Sequence, residues 1–408
     1  MAELTLEEKL AKASKIMNSL NAAKAKKNPD DTRPAVYFAG QRPDLLDHGV
    51  LKSANIAVNE ILHGGLKRGT VTIVWGLPGC GKSCLAYETI AQVQRDGGVA
   101  VILHAETMFP IETARMFGID LSKLIIIQNF INAEIAMDSL FDLLSDDKGV
   151  PLNIVDLVVV DSVASMPPKA EVEKVNEEGF ESCDMALLAR LMSKFSRITN
   201  VSIGKAAMLL INQVRSNIGG YGAPQMMPGG HALNHLGDAI IYLSAPKGAD
   251  NIITEGTGKE KIVVGHTVHM RMDKNKAGLG GHPGQTGSYV VRYNVGTDTI
   301  TPLYNSAVVY GLVYEAAKSR YRFNIPKDLL SRYGFWKLEI NEKTGEVKTD
   351  EPMSIHGEAA VKKAIETCEG IQDYLRFIIL DGKTADEALE LVNDKVIEQT
   401  PYLQEIME

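Results

Sequence analysis

The segment Gly76–Ser83 constrains the fold of this chain more than any other part of its sequence. It reads Gly-Leu-Pro-Gly-Cys-Gly-Lys-Ser and satisfies the phosphate-loop pattern Gly-x4-Gly-Lys-Ser/Thr. The apolar run Val71–Trp75 precedes it, and a segment of helical character follows it. Glycines there let backbone N–H groups surround phosphate oxygens, and a helix N-terminus adds its positive dipole. The sequence therefore predicts a nucleotide site between a strand and a helix, with Lys82 on the outer phosphates and the Ser83 hydroxyl on Mg²⁺.

Further apolar runs predict the sheet that carries this loop. Four of them are continuous: Val99–Leu103, Leu124–Ile127, Leu157–Val160 and Met208–Ile211. Because strands that are buried on both faces read as continuous apolar runs, these suit a mostly parallel sheet flanked by helices. Three later stretches predict additional strands, which we expect to be antiparallel: Ala239–Leu243, Val268–Met272 and Tyr289–Tyr293.

Three regions are predicted along the chain: 1–44, 45–305 and 306–408. In the first, residues 5–27 read as an amphipathic helix, since Thr5 and Glu8 have capping-box spacing and leucines recur at helical intervals. Its apolar stripe either docks on a neighbouring subunit or packs onto the core of its own subunit. The last region is expected to be a small α+β domain with an acidic end.

Charge and composition narrow the classes of function. The formal net charge is -8, so the chain does not coat nucleic acid through bulk charge, and any DNA binding requires a local arrangement of Lys and Arg. The four cysteines form no Cys-x-x-Cys pair, which predicts reduced thiols. No apolar run approaches the roughly 18 residues of a membrane helix. We therefore expect a cytoplasmic protein that does not act on membranes.

Three polar residues that end predicted strands are candidates for the chemistry of hydrolysis. Asp161 ends an apolar run about 80 residues after the phosphate loop, where an aspartate can hold Mg²⁺ opposite Ser83. Glu106 follows the second run, where a carboxylate can polarise a water aimed at the γ-phosphate. Its alternative is a simple helix-start glutamate before Pro110. Gln213 ends the fifth run, and its amide can gain and lose a hydrogen bond to the γ-phosphate, as a switch does.

Several motifs, taken in order, resemble those of the RecA recombinase family. They are Val160–Glu171, Leu188–Ser193, Ile211–Arg215 with Gly229–Leu233, and the Lys-Asn-Lys triplet Lys274–Lys276. The resemblance covers roughly residues 50–300 and weakens towards about 340. It implies a RecA-like α/β ATPase core with a mostly parallel central sheet, an N-terminal helical oligomerisation segment and a small C-terminal domain.

The resemblance also implies a function. The family's activity is ATP-dependent homologous recombination, in which helical filaments on single-stranded DNA pair with duplex DNA and exchange strands. The expected cofactors are ATP and Mg²⁺, with ATP bound between subunits. Expected partners are single- and double-stranded DNA, further copies of the chain, and single-strand-binding and mediator proteins.

The resemblance assigns roles to individual residues. It implies catalytic roles for Glu106, Lys82, Gln213, Lys274 and Lys276, the last two acting on the nucleotide of the adjacent subunit. The implied nucleotide site comprises Gly76, Leu77, Pro78, Gly79, Cys80, Gly81, Lys82, Ser83, Cys84, Arg115 and Asp161, with Ser83 and Asp161 as metal ligands. Without the resemblance, Lys274 and Lys276 would be interpreted as exposed charges beside a turn.

Two segments fill the places of the family's DNA-binding loops, 173–184 and 214–229. Glycine-rich mobile loops can become ordered on DNA, and an aromatic ring can stack between bases. The implied DNA-binding residues are Arg190, Arg197, Arg215, Tyr221, Gly229 and Gly230. From the sequence alone, Arg190 and Arg197 would be read as a solvated helix face.

The chain also departs from the family pattern. Thr113 stands where the family usually has an aromatic residue on adenine, and Arg115 is the candidate substitute. The first DNA loop is longer and more acidic than expected, and the last 50 residues match no part of the pattern. Such divergence around a retained core suits a phage-encoded relative.

Two other classes of function remain open at this point. A ring helicase shares this type of ATPase core, and a non-catalytic paralogue would bind ATP without turnover. The Lys-Asn-Lys triplet favours a filament over a ring. The complete set of residues for hydrolysis argues against a non-catalytic paralogue. A basic stretch, finally, is a hypothetical surface for duplex DNA: Lys318, Arg320, Arg322, Lys327 and Arg332.

Overall fold

The computed structural model describes residues 5–29, 31, 33–42, 47–179, 186–216, 225–256, 261–276, 281–340 and 347–399. Within it the chain divides into two compact units. The first consists of residues 1–53, 61–246 and 268–286, and the second of 54–60, 247–267 and 287–408. The domain boundaries predicted from the sequence stay a prediction.

The first unit is built on a central sheet. The strands of this unit are β1 (Val50–Leu51), β2 (Leu66–Lys67), β3 (Val71–Gly76), β4 (Ala100–His104), β5 (Leu124–Ile127), β6 (Leu157–Asp161), β7 (Ala207–Gln213), β8 (Arg215–Ser216), β9 (Gln225–Met226), β10 (Ala239–Ser244) and the second part of β12 (Ile262–Asn275). Outside the central sheet, β1 pairs with β2 and β8 pairs with β9. The sheet order is β12-β10-β3-β7-β6-β4-β5. All neighbours are parallel except β10 and β12, which are antiparallel. The predicted mostly parallel α/β fold is confirmed.

Helices cover both faces of this sheet. The helices of the first unit are α1 (Leu6–Lys27), α3 (Lys82–Arg95), α4 (Ile111–Met116), α5 (Ala133–Leu144), α6 (Lys169–Glu178), α7 (Ala186–Ser202) and α8 (Gly230–Leu236). Of these, α3, α5, α7 and α8 pack on the sheet. Alternate strand residues such as Ile73, Val158 and Leu210 join side chains of α5, α7 and α8 in one core. Successive residues of a strand point to opposite faces. The other set faces the side on which α3 contacts β3, β4, β6 and β7.

The predicted strands of the central sheet are confirmed, with one correction. We expected Ala239–Leu243 to be antiparallel, but β10 runs parallel to β3, with Ile240 opposite Ile73. The reason is topological: α8 lies between β7 and β10 and returns the chain to the same end of the sheet, as crossover helices do. β10 is antiparallel only to β12.

Helix α1 begins and ends where the sequence predicts. The Thr5 side chain accepts a hydrogen bond from the Glu8 N–H, the Glu8 carboxylate accepts one from the Thr5 N–H, and the helix ends at Lys27. No residue of α1 is buried. Within the described part of the chain, its long-range hydrogen bonds join Asn21 and Lys24 to the segment 33–36. The docking of α1 on a neighbouring subunit stays a prediction, and the exposure of its apolar side chains leaves them available for it.

The second unit has a separate core. It contains the first part of β12, β11 (Ile252–Glu255), β13 (Thr286–Arg292), β14 (Gly296–Thr297), β15 (Val313–Ala317), β16 (Arg320–Phe323), β17 (Trp336–Ile340), β18 (Val347–Pro352) and β19 (Ile355–His356). Its helices are α2 (Ile56–Ile61), α9 (Ile300–Val309), α10 (Lys327–Arg332), α11 (Glu358–Thr367), α12 (Glu369–Ile379) and α13 (Ala385–Gln399). Phe323, Leu329, Ile365 and Tyr374 lie at its centre. Among all described helices, none is both long and apolar enough to cross a membrane.

Candidate functional site

The phosphate loop connects β3 to α3 at the carboxyl edge of the central sheet. Gly79 and Gly81 have φ angles of 74° and 85°, in the left-handed region that favours glycine. A Cβ atom on Gly76 would lie 2.2 Å from the carbonyl oxygen of Leu243, so the strand end also requires glycine. The backbone geometry at these positions explains why the loop contains three glycines in six residues.

Lys82, the first residue of α3, is buried and bound to the loop itself. Its Nζ donates to the carbonyl oxygens of Gly76 at 2.9 Å and Leu77 at 2.7 Å. The ammonium group is thus held inside the turn, where a phosphate chain would meet it together with the first N–H groups of the helix.

Ser83 and Asp161 meet as the sequence predicts. The Ser83 hydroxyl donates to Oδ2 of Asp161 at 2.8 Å, and Asp161 is almost fully buried at the end of β6. Burial raises the pKa of Asp161, and the hydrogen bond from Ser83 opposes that shift. A hydroxyl and a carboxylate are oxygen donors that suit Mg²⁺, which takes its remaining ligands from phosphate and water. The two side chains therefore fit the implied metal ion.

Glu106 is exposed and lies in the turn after β4, where its negative charge contributes to raising the pKa of Asp161. His104, the last residue of β4, is opposite Asp161 in the sheet, and the N–H of Ala105 donates to the Asp161 carbonyl oxygen at 2.7 Å. His104 is a residue that sequence reasoning missed. It is buried, and its Nε2 is hydrogen-bonded to the Met108 carbonyl oxygen at 3.0 Å, which holds the turn that carries Glu106.

Gln213 ends β7 directly beside the phosphate loop, opposite Gly76 in the sheet register. Its neighbour Asn212 is a second residue that sequence reasoning missed. Asn212 is fully buried, and its Nδ2 donates to the carbonyl oxygen of Pro228 at 2.8 Å. Since Pro228 lies at the far end of the predicted second DNA loop, one amide joins the two ends of that loop beside the nucleotide site.

Lys274 and Lys276 lie away from their own phosphate loop. Lys274 is level with Ile73 across β10, and its Nζ donates to the carbonyl oxygen of Gly237 at 2.7 Å and to that of Asn234. Lys276 forms an ion pair with Asp238. Lys274 also lines a cavity of about 570 Å³. Both lysines therefore belong to the amino-terminal half of the strands, whereas the phosphate loop follows their carboxyl ends.

Comparison with known proteins agrees with this geometry. The model of the RecA N-terminal domain matches residues 26–296, which is more than half of the chain. The chain belongs to the RecA family. The Protein RecA of Mesoplasma florum is 30% identical over 317 residues, covering 77% of this chain and 83% of the relative. That of Petrotoga mobilis is 32% identical over 352 residues, covering 85% and 83%, and that of Thermotoga maritima 33% over 283 residues, covering 68% and 73%.

Members of the RecA family are DNA-dependent ATPases of recombination and repair, which use ATP and Mg²⁺, bind DNA and oligomerise. Membership therefore accounts for the phosphate loop together with the Ser83–Asp161 pair. Within the described residues, no group of three or more His, Cys, Asp or Glu side chains could hold a metal by itself. An Mg²⁺ ion at Ser83 and Asp161 would accordingly depend on the nucleotide for further ligands.

The predicted DNA-binding residues occupy several kinds of position. Arg190 and Arg197 are exposed on α7, and Arg197 donates to the Ser193 hydroxyl at 3.3 Å. The backbone of Arg215 pairs with Met226 at the base of the second loop. Tyr221 lies outside the described residues.

Gly229 and Gly230, by contrast, have a structural reason to be glycine. Their φ angles are 97° and 67°, at the start of α8. A Cβ atom on Gly229 would lie 2.4 Å from Cδ1 of Leu233. They fix the place where the second loop enters the helix, whether or not their backbone reaches DNA.

The expected extent of the first DNA loop, 173–184, needs correction. Residues 173–178 belong to helix α6, which ends at Gly179 with a φ angle of 80°. The physical reason is that Lys169–Glu178 consists mainly of good helix formers after Pro168, which suits a helix start. Residues 180–185 lie outside the described part of the chain.

The remaining candidates for the nucleotide site are Arg115 and two cysteines, with Thr113 at the position where the family has an aromatic residue. Arg115 is exposed and forms an ion pair with Glu112 at 3.0 Å, while Thr113 is half-buried. Burial raises the pKa of the Cys80 thiol and raises that of Cys84 to about 11. Both cysteines and Cys368 are free thiols, and Cys183 lies outside the described residues.

The basic stretch of the second unit is partly neutralised. Arg322 binds Glu351 at 2.8 Å, and Lys327 binds Asp350 at 2.7 Å. Arg332 donates to the Asn393 side chain at 2.7 Å. Lys318 and Arg320 are exposed, so they are the better candidates of the five for contact with an anionic partner.

Proposed function

We propose that this protein is an ATP-dependent homologous recombinase, which assembles into helical filaments on single-stranded DNA and exchanges strands with a homologous duplex. Bound ATP holds the DNA-binding state of the filament, and hydrolysis releases it. The observation that carries this proposal is the register of β3 and β7, where Gly76 of the phosphate loop lies beside Gln213 at the start of the second DNA loop.

This register gives the nucleotide a short route to the DNA loop. An amide at Gln213 can bond a γ-phosphate seated in the phosphate loop and lose that bond after hydrolysis. The hydrogen bond from Asn212 to Pro228 ties the outgoing strand to the chain that returns from the loop. A change at Gln213 therefore acts on both ends of the loop together.

Hydrolysis is assigned to groups at the carboxyl edge of the sheet. Lys82 and the N-terminus of α3 stabilise negative charge on the outer phosphates. Ser83 and Asp161 would hold Mg²⁺, which would supply further positive charge to the phosphates. Glu106 accepts a proton from a water whose oxygen attacks the γ-phosphorus, the bond to the β–γ bridging oxygen breaks, and ADP leaves. The exposure of Glu106 leaves room for that water.

We assign Lys274 and Lys276 to the nucleotide of a neighbouring subunit. Strands rise about 3.3 Å per residue, so the end of the Lys276 segment, level with the start of β3, is about 15 Å from the phosphate loop. That is too far for Lys276 to reach its own nucleotide, and the Nζ of Lys274 is bound to the carbonyl oxygen of Gly237, before the start of β10. Head-to-tail stacking of subunits brings one subunit's amino edge to the next subunit's loop, and such stacking generates a helical filament when it does not close.

Two apolar surfaces support this assembly. Leu6, Leu10, Ile16 and Leu20 of α1 are exposed and have no place in the core of their own subunit. Among the described strands, β5 has a neighbour on one side only, at the edge of the sheet, and its Ile125 and Ile126 are also exposed. We assign α1 to subunit docking, as the sequence suggested.

A strand-exchange reaction between circular single strands and homologous linear duplex tests the proposed function. Joint molecules should form only with ATP and homology, and electron microscopy with a slowly hydrolysed ATP analogue should show helical filaments. Closed rings that unwind duplex DNA would instead indicate a helicase. ATP binding without DNA-stimulated turnover would indicate a non-catalytic paralogue. Replacing Gln213 by Ala should leave ATP binding intact and abolish its effect on DNA affinity.

A further inference from the structure

Asp273 joins the strand that carries the phosphate loop to the segment that carries the two lysines. Its Oδ2 accepts a hydrogen bond from Nε1 of Trp75 at 2.9 Å, and its Oδ1 accepts one from Nε of Arg271 at 2.7 Å. Trp75 immediately precedes Gly76, and Asp273 immediately precedes Lys274. The two partners are 198 residues apart in the chain, so this bond is a tertiary link and not a local turn.

Aromatic contacts complete the link across three strands. The rings of Trp75 and Tyr242 have centroids 4.9 Å apart, and the Arg271 guanidinium lies 5.0 Å from the centroid of the Tyr242 ring. Trp75, Tyr242, Arg271 and Asp273 therefore form a closed circuit over β3, β10 and β12. Both carboxylate oxygens of Asp273 accept a hydrogen bond, so the orientation of its side chain is fixed. An apolar contact would not fix an orientation in this way.

The other end of the lysine segment is tied to the other end of the same strand. Lys276 pairs with Oδ1 of Asp238, and Oδ2 of Asp238 accepts a hydrogen bond from the N–H of Val71 at 2.9 Å. Val71 and Trp75 are the first and fifth residues of β3. The segment between Asp273 and Lys276 is thus fixed to β3 at both ends.

We infer that Asp273 and Trp75 are positioning residues, which set Lys274 and Lys276 relative to the subunit's own phosphate loop. This inference rests on the proposed function, in which those lysines act on the neighbour's nucleotide. A single strand, β3, then carries one ATP site at its carboxyl end and aligns the lysines that complete the next site. A loop that shifts on binding ATP would move the lysines offered to the neighbour.

A purely structural role for the Trp75–Asp273 bond makes a different prediction. Loss of the bond would then weaken the phosphate loop of the same subunit as much as the lysines. A positioning role is directional, since the damage appears only where the altered subunit supplies lysines. Filaments mixed from two full-length variants separate these cases.

One variant is Glu106→Gln, which cannot activate water at its own site but still supplies lysines. The other combines Lys274→Ala and Lys276→Ala, which keeps its own Glu106 but supplies no lysines. Each alone should turn over ATP slowly on single-stranded DNA. The mixture should regain turnover at the sites where a nucleotide of the second variant faces lysines of the first.

Trp75→Phe is then added to one variant at a time. On the lysine-supplying chain it should lower the regained turnover about tenfold, the size expected for a lost hydrogen bond to a charged group. On the chain that supplies the nucleotide site it should change turnover by less than about twofold. Equal losses on both chains, or no loss on either, overturn the inference.

The second tryptophan provides a matched control. Trp336 also donates its Nε1 to an aspartate, Asp350, at 2.6 Å, but it lies in the second unit. Trp336→Phe should leave turnover unchanged on either chain. If Trp75→Phe does not fold, as judged by thermal melting, Asp273→Ala replaces it with the same expected asymmetry.

The mixture also separates this inference from the function on which it rests. If mixing regains no turnover with Trp75 intact, the lysines do not act on a neighbour's nucleotide. The trans role of the lysines and the positioning role of Trp75 and Asp273 are then both wrong. If turnover is regained and Trp75→Phe has no directional effect, the trans site stands and only the positioning role is refuted.

Discussion

Replacing two leucines of α1 by serine should block filament assembly without unfolding the subunit. Leu10 and Leu20 are 46% and 50% exposed, and no residue of α1 is buried. If α1 docks on a neighbour, the side chains lose this remaining exposure only in the filament. The double variant Leu10→Ser, Leu20→Ser therefore removes apolar area that matters for assembly and hardly for the fold.

The expected size of the effect follows from these exposures. Complete burial of a leucine side chain contributes about 1.5–3 kcal/mol. Since roughly half of each side chain is exposed, docking of both buries about one whole leucine. The loss of about 1.5–3 kcal/mol per interface raises the critical concentration for assembly about 10- to 100-fold.

Sedimentation and electron microscopy with single-stranded DNA and a slowly hydrolysed ATP analogue measure this concentration. The control is Lys12→Ser with Lys15→Ser, which lowers helix propensity similarly but removes no apolar side chain. The melting temperature of the free subunit should change by less than about 2 °C. A larger drop would mean that α1 does stabilise its own subunit, and unchanged assembly would mean that it is not an interface.

Three further predictions concern hydrolysis, the loop and acid stability. Glu106→Gln should lower turnover at least about 100-fold while ATP-dependent assembly persists; unchanged turnover would remove its assigned role. Gly76→Ala should abolish nucleotide binding because its Cβ meets a backbone carbonyl oxygen at 2.2 Å, whereas Gly79→Ala meets nothing within 4 Å and should cost only about 1 kcal/mol for its positive φ. Equal affinities in an ATP titration would contradict this contrast. Hydrogen bonds hold the pKa of Asp350 below its ordinary value near 3.8, so they stabilise the fold above that pH and are lost as the pH falls through the lowered pKa. Asp350→Asn should reduce the fall in melting temperature at acid pH, and an unchanged fall would refute the linkage.

The central sheet was predictable from the sequence because its signal is local. Strands such as Leu157–Asp161 are buried on both faces, so every residue before the aspartate is apolar. The glycines of the phosphate loop likewise respond to local backbone geometry. The positions of Ser83, Asp161 and Gln213 follow once parallel strands end at one edge.

Contacts between distant segments left no such signal. The buried side chain of Asn212 donates its hydrogen bond to a carbonyl oxygen 16 residues away. An asparagine in a strand sequence does not reveal that partner. The pair Trp75–Asp273 is likewise invisible until β10 brings β3 and β12 together. The direction of β10 depends on which side α8 crosses, which apolar periodicity does not encode.

The prediction of a loop at 173–178 was wrong because of the local helix propensity. The acidic segment at 173–178 was expected to be part of a loop because of its place in the family pattern. Its residues nevertheless favour helix, and α6 continues to Glu178. The partners of Arg322 and Lys327 lie 29 and 23 residues away, so a basic run in the sequence became a set of ion pairs in the fold.

The open edge at β5 has a cost when no neighbour is present. An edge strand with one open side and exposed isoleucines can recruit any extended chain, so the surface assigned to ordered assembly is also the place where aggregation would start. The strand is only four residues long, which limits how strongly a stray chain can pair with it. We expect nucleotide and DNA, by favouring the ordered neighbour, to protect the protein from its own sheet edge.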